Sequence, residues 1–241
     1  MTTFNGWFHV HSNHSFDGEH SLTEIRDLAL ARGFRFLIMA EHRDDFGDEG
    51  RYESYRAECE SLSDDAFTIV PGLEFRCQYA IEVLAVGLRR LLWEPRLAEV
   101  IEGVQGQGGV AILAHPSQWG SDFLNLHKDD LVRLDGLEVW NLRHDGDEFP
   151  WAETTAILND LQASNPKLSA YGGLDFHRIA DFDDGRFLSM EVETDRNDET
   201  SLLEAMREGR YAFKKGVVRF DSLCRLGTMK KLLFSLHYGL I

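Results

Sequence analysis

Short runs of Val, Ile, Leu and Phe alternate along this chain with longer stretches in which apolar residues recur every three or four positions. The first pattern reads as buried strand and the second as amphipathic helix. Residues 5–11 are predicted as a strand. A helix over 21–32 follows, opened by a capping box of Ser21 and Glu24 and stopped by Gly33. Residues 35–40 form a second predicted strand, 51–62 a polar-faced helix, and 67–75 and 79–87 a pair of strands. Pro95 opens a helix that Gly106, Gly108 and Gly109 close, and 110–114 reads as a buried strand. Beyond it the pattern predicts a short helix over 128–134, a strand over 136–140 and a helix from Pro150 to Ala163. Strands over 168–172 and 186–192 and a helix over 201–208, ended by Gly209, complete the series. Residues 229–238 are apolar on one side and are expected to pack back on the body, within a C-terminal extension over 216–241.

No repeat or low-complexity linker interrupts this alternation, so 1–241 is read as a single domain. Strand–helix alternation over such a length predicts an α/β fold, either a doubly wound sheet or a TIM-like (β/α) barrel, for which about 250 residues is typical. No GxGxxG or GxxxxGK[ST] follows a predicted strand. Without a nucleotide-binding fingerprint the barrel is the expected architecture.

Composition narrows the function. Hydrophobic residues make up 43% and charged residues 27% of the 241, globular values. The formal charge of −16 argues against nucleic acid as a partner, because phosphate backbones are neutralised by Lys and Arg clusters. Three cysteines without a CxxC spacing suit a reducing compartment rather than a disulfide scaffold. The opening MTTFNGWFHVHSNHS has neither the basic nor the apolar region of a secretory signal, and no apolar run approaches the roughly 18 residues of a membrane span. A cytoplasmic protein with no membrane partner is expected.

Potential metal ligands recur just after predicted strands. His9 and His11 end the first, Glu41 and His42 follow the second, and Glu74 lies in PGLEF. His115 follows AILA, Glu138 lies in LEVWN, and Asp175 and His177 follow the strand over 168–172. In an all-parallel barrel the C-terminal strand ends converge on one face. Imidazoles and carboxylates meeting there would suit Zn, Mn or Fe, with a carboxylate bridging two ions. Taken singly each residue has a plain structural reading: Asp17 as a turn residue before Gly18, His115 as a hydrogen-bonded buried histidine, Glu138 as a partner to a loop. Their shared position at strand ends argues otherwise.

Lined up in this way, residues 9 to about 215 resemble the PHP (polymerase and histidinol phosphatase) family of metal-dependent phosphoesterases. The resemblance rests on HVHSNHSFDG with His9, His11 and Asp17, on FLIMAEHRD with His42, and on GLEF with Glu74. The AHP motif with His115 and GLDFH with Asp175 and His177 complete it. It implies a distorted seven-stranded (β/α) barrel holding two or three divalent ions. His9, His11, Glu74 and Asp175 would bind the first ion, and Glu74 would bridge to a second held also by His115. Asp17, His42 and His177 would take a third. The family places a further histidine on the strand after GxEF, where this chain has Glu82. Glu82 is either a substitute ligand or an ordinary charged residue on an exposed strand.

The expected activity is hydrolysis of a small phosphomonoester by a hydroxide formed between two ions. The phosphate needs cations beyond the metals. Arg178, next to His177, is the expected clamp and, with Asp175, a catalytic residue. Arg143, Arg43 and His144 are further substrate-binding candidates. Phosphodiester or exonuclease-type cleavage is the first rival reading. A degenerate, non-catalytic metal-binding module is the second.

Overall fold

The computed structural model describes residues 1–93, 96–120, 124, 127–145, 149–182 and 187–223. Pro95, Arg186 and the segment 229–238 lie outside the described residues. The described chain is α/β, with two mixed six-stranded sheets.

The first sheet contains β1 (Thr2–Val10), β2 (Phe36–Met39), β4 (Thr68–Val70), β10 (Ser189–Thr194), β11 (Tyr211–Lys215) and β12 (Val218–Asp221), in the order β12-β11-β10-β1-β2-β4. The second contains β3 (Glu41–His42), β5 (Gly72–Arg76), β6 (Glu82–Val86), β7 (Val110–Leu113), β8 (Gly136–Asn141) and β9 (Ser169–Gly173), in the order β3-β5-β6-β7-β8-β9. The helices are α1 (Leu22–Ala31), α2 (Glu49–Ser61), α3 (Leu97–Gly106), α4 (Lys128–Leu131), α5 (Ala152–Gln162) and α6 (Glu199–Arg207).

Several predicted elements recur within a residue or two. The capping box at Ser21 is present, with the Ser21 side chain accepting from the Glu24 N–H and Glu24 reaching back. Two expectations are corrected. The strand predicted over 67–75 is two, β4 and β5, because Pro71 has no N–H for a ladder and lets the chain change sheets there. Its neighbour changes sheets at the same level, between β2 and β3 at Ala40. The strands are also not all parallel. β5 and β6 run antiparallel, as do β6 and β7, and β10 is antiparallel to both β1 and β11. β11 and β12 were not foreseen: within 216–241, Val218–Asp221 forms an edge strand on the first sheet.

Hydrogen bonds also link β1 with the residues after β9. The Leu174 N–H donates to Phe8 O at 2.9 Å, Phe176 N–H to His9 O at 3.1 Å, and His11 N–H to Phe176 O at 2.8 Å. One buried cluster gathers Phe8, Ile38, Val70, Val86, Ile112 and Tyr171 from the strands, closed by Leu202, Leu203 and Met206 of α6. A larger cluster fills the space between strands and helices, with Trp7, Ile25, Tyr55, Val100 and Leu158. Burial of these side chains, at about 25 cal/mol per Å² of apolar surface, is what holds the layers together. Among the described residues no helix is long and apolar enough to cross a membrane.

Candidate metal centre

The strand ends beyond the small cluster carry the polar residues. β1 has a bulge at His9, so Phe8 and Val10 fall in opposite apolar clusters and His9 is the extra residue. His9 has φ 62°, His115 φ 25° and Asp175 φ 53°. Left-handed backbone at non-glycine residues costs roughly 1–3 kcal/mol each and gathers where function requires a particular side-chain direction. Gly173 provides the room: a Cβ there would fall on Glu138 Oε1 and crowd His9 Cβ.

The side chains converge around the Glu74 and Asp175 carboxylates. Glu74 Oε1 lies 3.0 Å from His115 Nε2 and 3.5 Å from His9 Nε2, and Oε2 lies 3.2 Å from His42 Nδ1 and 3.8 Å from His11 Nε2. Asp175 Oδ1 is 3.5 Å from His11 Nε2, 3.7 Å from His9 Nε2 and 3.3 Å from His177 Nδ1. Asp17 spans His42 and His177, at 3.2 Å to Nε2 of each. The donor atoms fall into groups compact enough for an ion: His9, His11 and Asp175; His9, Glu74 and His115; His11, His42 and His177; and His115, His144 and Asp175.

These residues fit divalent ions. Nε2 of His9 and of His11 is buried and has no hydrogen-bond partner among the described residues. A buried imidazole nitrogen aimed at two carboxylates and left without a hydrogen bond is what a ligand would complete. Glu138 is not aimed at the centre. Its Oε1 accepts from His9 Nδ1 at 2.8 Å, and its Oε2 accepts from the His115 N–H at 3.0 Å and Asn141 Nδ2 at 3.1 Å. Glu41 likewise points away, accepting from the backbone and hydroxyl of Ser12 and the hydroxyl of Ser15.

The electrostatics follow from burial and facing charge. Burial opposes the His9 imidazolium, but Glu138, Asp175 and Glu74 outweigh it and raise its pKa to about 10. Burial also opposes charge on His42 and His115, yet Glu74 beside each raises both to about 9. His11 goes the other way, to about 4, because burial outweighs the facing Asp175 carboxylate. Glu74 and Asp175 stay well below the usual carboxylate range, the imidazoles around them overcoming burial. Ion-free, the cluster is a web of shared protons.

A cavity of about 320 Å³ opens onto this web, lined by Arg76, Glu82, Gln118, Arg143 and His144 beside the ligand residues. Arg143 lines this cavity, its guanidinium also reaching Asp181 at 3.5 Å. Arg178 does not line it: its guanidinium bonds Asp181 at 2.7 Å and faces Glu19 at 3.6 Å, half exposed and away from the cavity lining. Arg43 bonds Leu92 O and stacks over Trp93, lining an adjoining pocket with Phe16 and His42. His144, although exposed at the cavity, has Nε2 3.2 Å from Asp175 Oδ2. His14 pairs with Glu58 on α2 at 3.0 Å. Sequence reasoning passed over Arg76 and Gln118. Strand periodicity could have found Arg76, which follows Glu74 by two on β5 and so shares its face.

The fold is similar to that of several solved structures. A two-domain protein from Bacteroides vulgatus containing a predicted PHP-like metal-dependent phosphoesterase superposes with a TM-score of 0.67 at 21% identity, over 91% of this chain and 66% of that one. This chain thus spans just under two thirds of that protein. PsfC from Pseudomonas syringae matches at TM-score 0.61 and 15% identity over 100% of both chains. A putative metal-dependent phosphoesterase from Bifidobacterium adolescentis matches at 0.50 and 17%, over 72% of this chain and 88% of its own. No family model matches the sequence, and no curated protein does.

Proposed function

We propose that the chain is a metal-dependent hydrolase, a phosphoesterase that cleaves a small phosphomonoester with the help of two or three divalent ions, Zn, Mn or Fe. The carrying observation is the pair of orphaned, buried Nε2 atoms on His9 and His11, facing Glu74 and Asp175. The names of the structural neighbours from Bacteroides vulgatus and Bifidobacterium adolescentis support the same class. The reading includes the architecture: β1, β2 with β3, β4 with β5, then β6, β7, β8 and β9 taken as one distorted seven-stranded barrel that closes through the bonds at 174–176.

In this reading His9, His11, Glu74, Asp175, His115, Asp17, His42 and His177 hold the ions. Bound there, divalent cations lower the pKa of water towards neutrality and offset charge on a phosphoryl group. The chain's own residues do the rest. Arg76 and Arg143, beside the cavity, take phosphoryl oxygens through planar forks. Glu138 fixes the His9 tautomer so that Nε2 faces inward. Arg178, through Asp181 and Glu19, braces the loop at the rim.

The test strips the protein with chelator, reloads it separately with Mn, Zn and Fe(II), and assays a chromogenic phosphomonoester, a phosphodiester and a panel of phosphorylated metabolites. Monoester hydrolysis that disappears on chelation is expected. Uptake of less than one ion per chain, or no hydrolysis of any monoester by loaded protein, overturns the reading. Cleavage of the diester alone moves it to the diesterase class.

A further inference from the structure

We propose that His144 supplies the imidazole missing from β6 and binds the second ion together with His115 and the Oδ2 of Asp175, while Glu82 stays out of the coordination shell. The proposal rests on the phosphoesterase reading and assigns the ligands of one of its ions.

Two groups compete for that position. Glu82, at the first residue of β6, comes within 3.8 Å of His115 Nε2 and belongs to none of the compact donor groups among the described residues. It sits directly across the ladder from Arg76, an opposite charge at a cross-strand position. His144 does belong to a compact group, with His115 and Asp175. Its ring lies 4.7 Å from the His115 ring, and its Nε2 is 3.2 Å from Asp175 Oδ2. That oxygen is the one Asp175 does not turn towards His9, His11 and His177.

The loop holding His144 is built to present it. Asn141 Oδ1 accepts the N–H of Arg143 at 3.0 Å and of His144 at 3.2 Å, and Asp145 Oδ2 ties back to the Asn141 N–H at 2.8 Å. The same Asn141 amide donates to Glu138, so the turn is fastened to the residue that orients His9. The Gln118 amide bridges His115 Nδ1 at 3.2 Å and His144 Nε2 at 3.0 Å, and a rotation of this one side chain frees His144.

Donor chemistry makes a distinguishable forecast. With His144 the second ion has two imidazoles and a carboxylate, a nitrogen-rich set that suits Zn or Co. With Glu82 it would have one imidazole and two carboxylates, a set leaning towards Mn or Mg.

The experiment loads full-length wild-type, His144→Ala and Glu82→Gln proteins with Co(II) or Zn(II), dialyses them, and measures ions per chain together with the Co(II) visible spectrum. Melting of each chelated protein checks that the variants fold. We expect His144→Ala to lose one equivalent and the matching part of the Co(II) absorption, and Glu82→Gln to keep both. Wild-type content and spectrum in His144→Ala, or loss of the equivalent in Glu82→Gln instead, overturns the assignment and leaves the phosphoesterase reading standing. Wild-type protein that takes up less than one ion overturns both.

Discussion

His9 Nδ1 lies 2.8 Å from Glu138 Oε1, two residues 129 positions apart in the chain and both fully buried. A carboxylate only accepts, so Nδ1 keeps its proton, and when the ring gives up its second proton it is Nε2, facing Glu74 and Asp175, that becomes the lone pair. One contact between distant strands thus decides which nitrogen meets the ion.

Removing that decision should weaken metal binding without removing a ligand. Glu138→Gln puts an amide beside Nδ1 that can face it as a donor and favour the wrong tautomer. Losses of about 10–100-fold in metal affinity are usual for partners of this kind. Competition with a chromophoric chelator measures it. Unchanged affinity would mean that the Glu138 contact is structural only.

Gly173→Ala should act on the same pair from the backbone side. The added methyl would fall on Glu138 Oε1 and press on His9 Cβ. An overpacking cost of about 1–3 kcal/mol is expected, together with weaker metal uptake. Urea unfolding of the chelated protein gives the first quantity, and titration with Zn the second.

The chelated protein should be most stable near pH 6.5. His9, His42 and His115 have folded pKa values raised to about 10, about 9 and about 9, against an ordinary 6.5. Their contribution is complete below 6.5 and drains away as pH rises through 9 to 10. His11 is depressed to about 4, so its contribution is complete above 6.5 and is lost on acidification towards 4. Metal must displace the protons on the raised histidines, so apparent affinity should climb from pH 7 to 9. Melting temperatures of chelated and loaded protein across this range test both statements. A chelated protein that gains stability between pH 7 and 9 would contradict the first.

Arg143→Ala and Arg76→Ala should each lower kcat/KM for a phosphomonoester by roughly 100-fold, with metal content unchanged. Arg178→Ala should stay within about fivefold of wild type, since its exposed pairs with Asp181 and Glu19 hold a loop rather than substrate. A large loss at Arg178 with none at Arg143 would reverse this assignment.

Most of the cluster that could hold ions was legible because strand periodicity and short motifs are local. The HxH of β1, the Glu of GLEF and the D-x-H after β9 need only the expectation that strand ends meet. What was not legible depended on long-range register. Both Arg178 and Arg143 reach Asp181, yet Arg143 alone of the two lines the cavity, which follows from loop geometry after the strand and not from a place beside His177. The antiparallel course of β6 was hidden for a related reason: a strand pair has the same alternation whichever way its second member runs. Pro71 was visible as a letter, but its effect depended on Ala40 beside it letting the neighbouring strand change sheets at the same level.

The seal that α6 makes has a consequence for traffic. Leu202, Leu203 and Met206 join the apolar cluster beneath the polar centre, and Leu203 packs so closely on Gly87 that a Cβ there would collide with it. Nothing the size of a phosphate passes through such packing. In the proposed reaction phosphate then leaves by the cavity itself, past the groups that receive the next ester. Departure and arrival share a queue, so inorganic phosphate should compete directly with substrate. Turnover would then depend on how readily Arg76 and Arg143 let go as much as on the cleavage itself.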